Sequence, residues 1–178
     1  LLHHNHLPNG RELADLKATL AGFRDLPKGV IELITRLPKD CPPMHALRTG
    51  VSALGCYDST ADDDTMDAQR RKALRLIAQI PVITAYFHRS RQKKELVHPD
   101  PSLGEAANFL YMLTGDRPDA TATRAFDVAL VLHADRYATH YRPIALPEQH
   151  PHVHLTLVTE AAFDELRNHV KLLEDGLG

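Results

Sequence analysis

The spacing of apolar residues in the first 135 positions constrains the fold of this chain more than any other feature. Apolar residues recur there every three to four positions, as they do on one face of an α-helix. Proline and glycine divide this pattern into segments joined by short loops. The predicted helices run from near Arg11 to Phe23 and over Lys28–Arg36, Met44–Tyr57, Met66–His88, Leu103–Gly115 and Thr121–Asp135. The sequence therefore predicts that residues 1–135 form an all-α domain with a helix-on-helix core.

Two helix-disfavouring residues lie inside these predicted helices. Pro81 falls within the fourth helix, where the missing N–H group predicts a kink rather than two separate helices. Gly50 falls within the third helix, where glycine costs about 1 kcal/mol of helix propensity. We expect Gly50 to allow another helix to approach closely.

Residues 136–178 do not continue this pattern. Pro143 and Pro147 disfavour a helix shortly after it. Residues 152–158 alternate between side-chain classes and are rich in β-branched residues, which predicts a strand. Residues 161–175 return to helical spacing. We expect a divergent tail that either forms a small αβ element or is irregular.

Composition narrows the class of protein. The 178 residues are 43% hydrophobic and 25% charged, which is typical of one globular domain. A net charge of −2 gives no basic field for nucleic acid, and the longest apolar run, Val128 to Leu132, is too short for a membrane span. Cys41 and Cys56 have no metal-binding spacing and suit a reducing cytoplasm. We expect no cofactor.

Four segments of the helical part carry motifs beyond helical spacing. They are Leu7-Pro8-Asn9 to Leu20; Pro43-Met-His-Ala-Leu-Arg-Thr-Gly-Val-Ser-Ala-Leu-Gly-Cys-Tyr-Asp58; Arg71-Lys-Ala-Leu-Arg-Leu-Ile-Ala-Gln-Ile-Pro81; and Ala106-Ala-Asn-Phe-Leu-Tyr-Met-Leu-Thr-Gly115 followed by Phe126-Asp-Val-Ala-Leu-Val-Leu-His-Ala-Asp135. In this order they resemble the N-terminal portion of the large, all-helical domain of citrate synthases and 2-methylcitrate synthases.

The resemblance implies a function and two candidate substrate-binding residues. Members of the family condense acetyl-CoA with oxaloacetate, giving citrate and CoA, and form homodimers through helices of this domain. Their pattern His-Ala-Asp-His-Glu resembles His133-Ala-Asp-Arg136-Tyr here, so Arg136 stands where the family has a histidine that binds oxaloacetate. Arginine can still hold a carboxylate by a bidentate contact. His133 suits a pocket wall or a buried core position equally, and citrate and 2-methylcitrate synthases are not distinguished.

The family's remaining catalytic motifs do not appear after Asp135. The segments with the further histidines, the catalytic aspartate and the oxaloacetate-binding arginines are missing from this sequence. Without that aspartate and its histidine partner, no group removes a proton from the acetyl methyl. We expect a truncated, frameshifted or misjoined form that is inactive in isolation. A non-catalytic fragment that dimerises is the alternative.

The tail offers a rival hypothesis from another class. On a strand, His152 and His154 share one face, where two imidazoles can bind one divalent metal ion. Asp135 is a possible third ligand. A His-hydrophobic-His strand resembles the metal motif of rolling-circle nucleases, which pair it with a tyrosine such as Tyr137 or Tyr141. The motif is short, and the chain lacks a basic face for DNA.

Overall fold

A computed structural model describes residues 7–140, and this part contains six α-helices and no strand. The helices are α1 (Gly10–Phe23), α2 (Lys28–Arg36), α3 (Pro43–Gly55), α4 (Met66–Arg91), α5 (Glu105–Thr114) and α6 (Ala120–His140). The predicted all-α class is confirmed. The strand predicted at 152–158 and the helix predicted at 161–175 lie outside the described residues.

Helix α6 is longer than the spacing of apolar residues predicts. It was expected to end at Asp135 but continues to His140. The added residues contain no proline or glycine, and the first proline follows only at Pro143, so nothing in the covalent chain stops the helix earlier. A boundary between two compact units falls inside α6, since one unit extends to Arg124 and the other begins at Ala125.

Within the first unit, α4 is the central helix. It packs against α1, α2, α3 and α5 and supplies much of the buried apolar surface. Its fully or almost fully buried apolar residues are Ala78, Val82, Ile83, Ala85, Tyr86 and Phe87. Pro81 lies inside α4 without dividing it into two helices, as predicted. Proline removes one bond of the helical ladder, and α4 packs against four other helices that can compensate for this loss.

Gly50 makes the contact between α3 and its neighbours possible. The residue is buried, and a Cβ atom built on it would lie 2.9 Å from both Ile34 Cδ1 and Ile83 Cγ2. These two side chains come from α2 and α4. The predicted close approach at Gly50 is confirmed, and it joins three helices rather than two.

The start of α1 is fixed by a capping box. The Asn9 side chain accepts a hydrogen bond from the Glu12 backbone N–H (2.9 Å), and the Glu12 carboxylate accepts one from the Asn9 N–H (2.8 Å). Both bonds satisfy donors that a helix terminus otherwise leaves unpaired. None of the helices described is long and apolar enough to cross a membrane.

Candidate functional site

Arg24, directly after α1, is a buried cation that joins distant parts of the chain. Only 2% of the residue is exposed. Its guanidinium donates to the backbone oxygens of Asp100 (2.8 Å) and Leu103 (2.9 Å) and to the Glu105 carboxylate (2.7 Å). A buried charge is tolerated only when it is paired and hydrogen-bonded in this way. Arg24 therefore bonds the end of α1 to the segment before α5 and to Glu105, the first residue of α5.

Asp100 is the centre of the same cluster. Its backbone N–H donates to the Asn108 side-chain oxygen (2.8 Å), and its carboxylate accepts from Ser102 and from the Arg117 guanidinium. Hydrogen bonds from the Ser102 hydroxyl and N–H, together with the charge of Arg117, hold the pKa of the Asp100 carboxyl below its usual range. Arg24, Asp100 and Arg117 are called the Asp100 cluster below.

The C-terminal half of α4 also bonds to the segment between α4 and α5 and to α5 itself. The Arg89 guanidinium donates to the backbone oxygens of Glu95 and Leu113. The Tyr86 hydroxyl lies 3.0 Å from His98 Nδ1. Burial raises the pKa of Tyr86 above its usual range, and the negative charge of Asp25 adds to this effect.

Two local features direct the chain from α5 into α6. Gly115 ends α5 in the left-handed conformation (φ 94°), which residues with a Cβ atom rarely adopt. Asp119 then caps the start of α6 by accepting a hydrogen bond from the Ala122 N–H (2.7 Å). Arg117, between them, contacts Asp100. These bonds position the start of α6.

Three of the residues predicted to form a site lie in the last part of α6. His133, Asp135 and Arg136 fall within one turn of each other along the helical backbone. Their side-chain contacts are not described, and His152 and His154 lie outside the described residues. In residues 7–132, whose side chains the structure describes, no group of three or more histidine, cysteine or acidic residues could hold a metal ion. The tail metal hypothesis stays a prediction.

Sequence reasoning missed the Asp100 cluster. Arg24 follows a helix and looks like an ordinary exposed helix-end cation, yet its partners lie 76 to 81 residues away. The only local signal is the Asp100-Pro-Ser102 sequence, which is typical of a turn closed by an aspartate side chain.

Comparison with known proteins places these elements in a family. A family model described as "Citrate synthase, C-terminal domain" matches residues 1–138. The citrate synthase of Deinococcus radiodurans is 45% identical over 129 residues, which cover 72% of this chain and 34% of the relative. That of Haloferax volcanii is 46% identical over 139 residues, or 76% and 37% of the two chains. This chain thus spans about a third of the length of these relatives.

Solved structures of citrate synthases also match this chain. Citrate synthase from Pyrobaculum aerophilum superposes with a TM-score of 0.68 at 37% identity, covering 73% of this chain and 35% of that one. Citrate synthase from Thermoplasma acidophilum, in a ternary complex with carboxymethyl coenzyme A and oxaloacetate, gives 0.70 at 25% identity, covering 75% and 35%. The helices, their order and the matched sequence together assign this chain to the citrate synthase family.

Proposed function

We propose that this chain provides part of the helical scaffold of a citrate synthase, which condenses acetyl-CoA with oxaloacetate to give citrate and CoA. The observation that supports this proposal best is the match over residues 1–138, which extends through the part of α6 that contains His133 and Arg136. The related Thermoplasma acidophilum enzyme was solved with a CoA analogue and oxaloacetate bound. The substrates proposed here are therefore of the same classes.

His133 and Arg136 are the proposed contribution of α6 to substrate binding. They are three positions apart in one helix, so a single rigid element carries both. The proposed role of Arg136 is to hold a carboxylate of oxaloacetate through its planar guanidinium. An arginine stays charged across the physiological range and so does not replace a neutral histidine donor.

A chimeric enzyme tests the scaffold. Residues 1–132 of this chain would replace the matching segment of the Deinococcus radiodurans citrate synthase, so that the relative supplies its own residues from the His133 position onward. We expect CoA release from acetyl-CoA with oxaloacetate, followed with a thiol reagent. A chimera that folds and has the relative's oligomeric state but releases no CoA would refute the proposal.

A longer chimera tests the two residues. When the exchanged segment extends to Arg136, we expect kcat to fall about a hundredfold, the size of effect seen when one preorganised donor is lost. Arg136→His should restore most of that loss, and His133→Ala should raise KM. Equal activity with Arg136 and with histidine would contradict the expected loss, and an Arg136→Ala chimera as active as both would exclude a substrate contact at this position.

The 178-residue chain alone should release no CoA above the blank. Its sequence lacks the aspartate and histidine motifs that carry out proton transfer in the family. Release above the blank, with dependence on oxaloacetate, would show that other residues of this chain supply those groups.

A homodimer is the proposed assembly and the cytoplasm the proposed compartment. Several large apolar side chains of the first unit are partly exposed, including Leu33 (38%) and Tyr57 (56%), which is a common property of association surfaces. Cys41 and Cys56 are both free thiols, as a reducing compartment requires. Light scattering coupled to gel filtration should give twice the 19.9 kDa chain mass. A monomer at all concentrations would contradict the dimer.

A further inference from the structure

The dipeptide Asn9-Gly10 lies at the start of α1. Asn9 is the only asparagine in the sequence that is followed by glycine. Because glycine has no Cβ atom, its backbone nitrogen approaches the side-chain carbonyl carbon of the preceding residue with little steric hindrance. A Cβ atom built on Gly10 would meet no atom within 4 Å, so the space around this nitrogen is open.

The first half of α1 leaves the dipeptide accessible. Every residue from Gly10 to Thr19 is exposed, and Leu20 is the only buried residue of the helix. Gly10 is the first residue of α1, so its N–H has no acceptor within the helix. A helix end without buried residues opens locally at little cost in free energy. The capping box therefore opens from time to time and frees the Asn9 side chain.

We propose that Asn9 is a site of spontaneous deamidation. The Gly10 nitrogen attacks the Asn9 Cγ atom and loses its proton, and the side-chain nitrogen leaves as ammonia. Water then opens the cyclic imide at one of its two carbonyl carbons, which gives either aspartate or isoaspartate. The step needs no oxidant or reductant, and the chain gains one negative charge.

The two products have different effects on α1. Aspartate keeps an oxygen acceptor at the N-cap for the Glu12 N–H, which bonds Asn9 Oδ1 at 2.9 Å, and its charge suits a helix start. Isoaspartate runs the main chain through the side-chain carbons, which adds a methylene group to the backbone. This shifts the cap oxygen and the Asn9 N–H, which bonds the Glu12 carboxylate at 2.8 Å, so both bonds of the capping box are lost.

A time course of peptide mass spectra, from the 178-residue chain held at mildly alkaline pH, tests the site. The peptide with Asn9 should gain about 1 Da as its amide becomes a carboxylate. Asn108 is the internal control, because it is 2% exposed and its side chain bonds Asp100 and Met112. We expect conversion at Asn9 to be about tenfold faster or more, since Asn108 reacts only when α5 opens.

Gly10→Ala is the matched variant, because the open space accepts a methyl group and α1 keeps its cap. The added Cβ atom hinders the attacking nitrogen, so conversion at Asn9 should slow by several fold. Conversion at Asn9 that is no faster than at Asn108, or that Gly10→Ala leaves unchanged, would overturn the proposal.

Hydrogen exchange of the isoaspartate form, separated by chromatography, tests the effect on α1. Its Glu12 amide should exchange about fivefold faster than in the unmodified chain, which is the size expected for a lost N-cap. Asn9→Asp reproduces the other product and should exchange as the unmodified chain does. Equal exchange in the isoaspartate form and in Asn9→Asp would overturn the proposed effect on the helix.

Discussion

Arg24 is the residue whose removal should damage the first unit most. Its side chain is almost completely buried, and three acceptors depend on it. Arg24→Met keeps the bulk of the side chain but leaves the Glu105 carboxylate and two backbone oxygens without their donor. We expect a loss of about 3–5 kcal/mol in the free energy of unfolding, as for other broken buried pairs.

Urea unfolding followed by circular dichroism measures this loss. Arg11→Met is the control, because the Arg11 side chain is 92% exposed and its ion pair with Asp15 is a surface pair. Exposed pairs contribute about 0–1 kcal/mol. Similar losses for the two variants would show that the bonds of Arg24 do not stabilise the fold.

Gly50 and Gly22 form a second matched pair. Gly50→Ala pushes a methyl group against the stiff, β-branched Ile83, and overpacking of this kind typically costs about 1–3 kcal/mol. Gly22→Ala meets no atom within 4 Å and should instead stabilise α1 by up to about 1 kcal/mol. The two midpoints of urea unfolding should therefore move in opposite directions, and a shift in the same direction would contradict the close approach at Gly50.

The pH dependence of stability contains a contribution from Asp58. A hydrogen bond from the Thr60 hydroxyl (2.7 Å) is the main cause that lowers the pKa of Asp58, helped by the Thr60 N–H and by Arg75 at 3.1 Å. A lowered pKa adds stability that is fully present above the unfolded value of about 3.9 and is lost as the pH falls through the folded value.

Thr60→Ala should reduce this contribution. We expect the pKa of Asp58, measured by carbon NMR, to rise toward its ordinary value. The destabilisation relative to the wild type should be larger at neutral pH than at pH values below the pKa of Asp58. Ser59→Ala removes the neighbouring exposed hydroxyl and is the control. An unchanged Asp58 titration in Thr60→Ala would assign the lowered pKa to the backbone N–H of residue 60 and to Arg75.

At the scale of elements, α4 shows how packing compensates for a poor helix former. Proline in a helix interior costs about 3 kcal/mol relative to alanine, yet α4 continues through Pro81. Pro81→Ala restores an N–H donor, and we expect the free energy of unfolding to rise by about 1–3 kcal/mol. Thermal unfolding measures this change. A fall in stability would mean that the neighbours of α4 require the backbone path that proline imposes.

The sequence predicts which segments are helical better than it predicts where each helix ends. The existence of all six helices follows from apolar spacing, and α1 to α5 each bury residues of their apolar stripe. Helix α4 ends three residues later than predicted, at Arg91, where Lys93 takes a left-handed conformation (φ 58°) and the Lys94 N–H donates to the Arg89 oxygen. Lysine gives no signal for such a turn, whereas the glycine that ends α5 does.

At the scale of the whole molecule, the contacts between elements are what the sequence does not reveal. A helical stripe predicts that a face is buried but not against which partner, so the central position of α4 was not predicted. Charged side chains such as Arg24 and Arg117 have no periodic signal at all. His133 and Arg136 were proposed as candidates only because their neighbours match a family pattern.

Proteolysis should distinguish the two long connections of the first unit. Residues 62–64, in the loop before α4, are exposed aspartates, and the bonds of Asp63 to Thr65 and Lys72 are exposed to solvent, whereas Asp100 is bonded to the buried Arg24 and Asn108. Cleavage requires a segment to open locally. We expect a protease specific for aspartate to cut at residues 62–64 well before Asp100, as read by mass spectrometry. Earlier cutting at Asp100 would contradict the bonding of that segment.

The bonds made by the backbone between α4 and α5 also determine where this protein tolerates added sequence. Arg89 and Arg24 bind main-chain oxygens of Glu95, Asp100 and Leu103, and these bonds exist whatever side chains the segment carries. Point substitutions there should be accepted readily at positions other than His98, Asp100 and Ser102, whose side chains are themselves bonded, while a single inserted residue would shift the acceptors relative to their donors. A fluorescent tag or an affinity epitope therefore belongs in the acidic loop before α4, not in this connection.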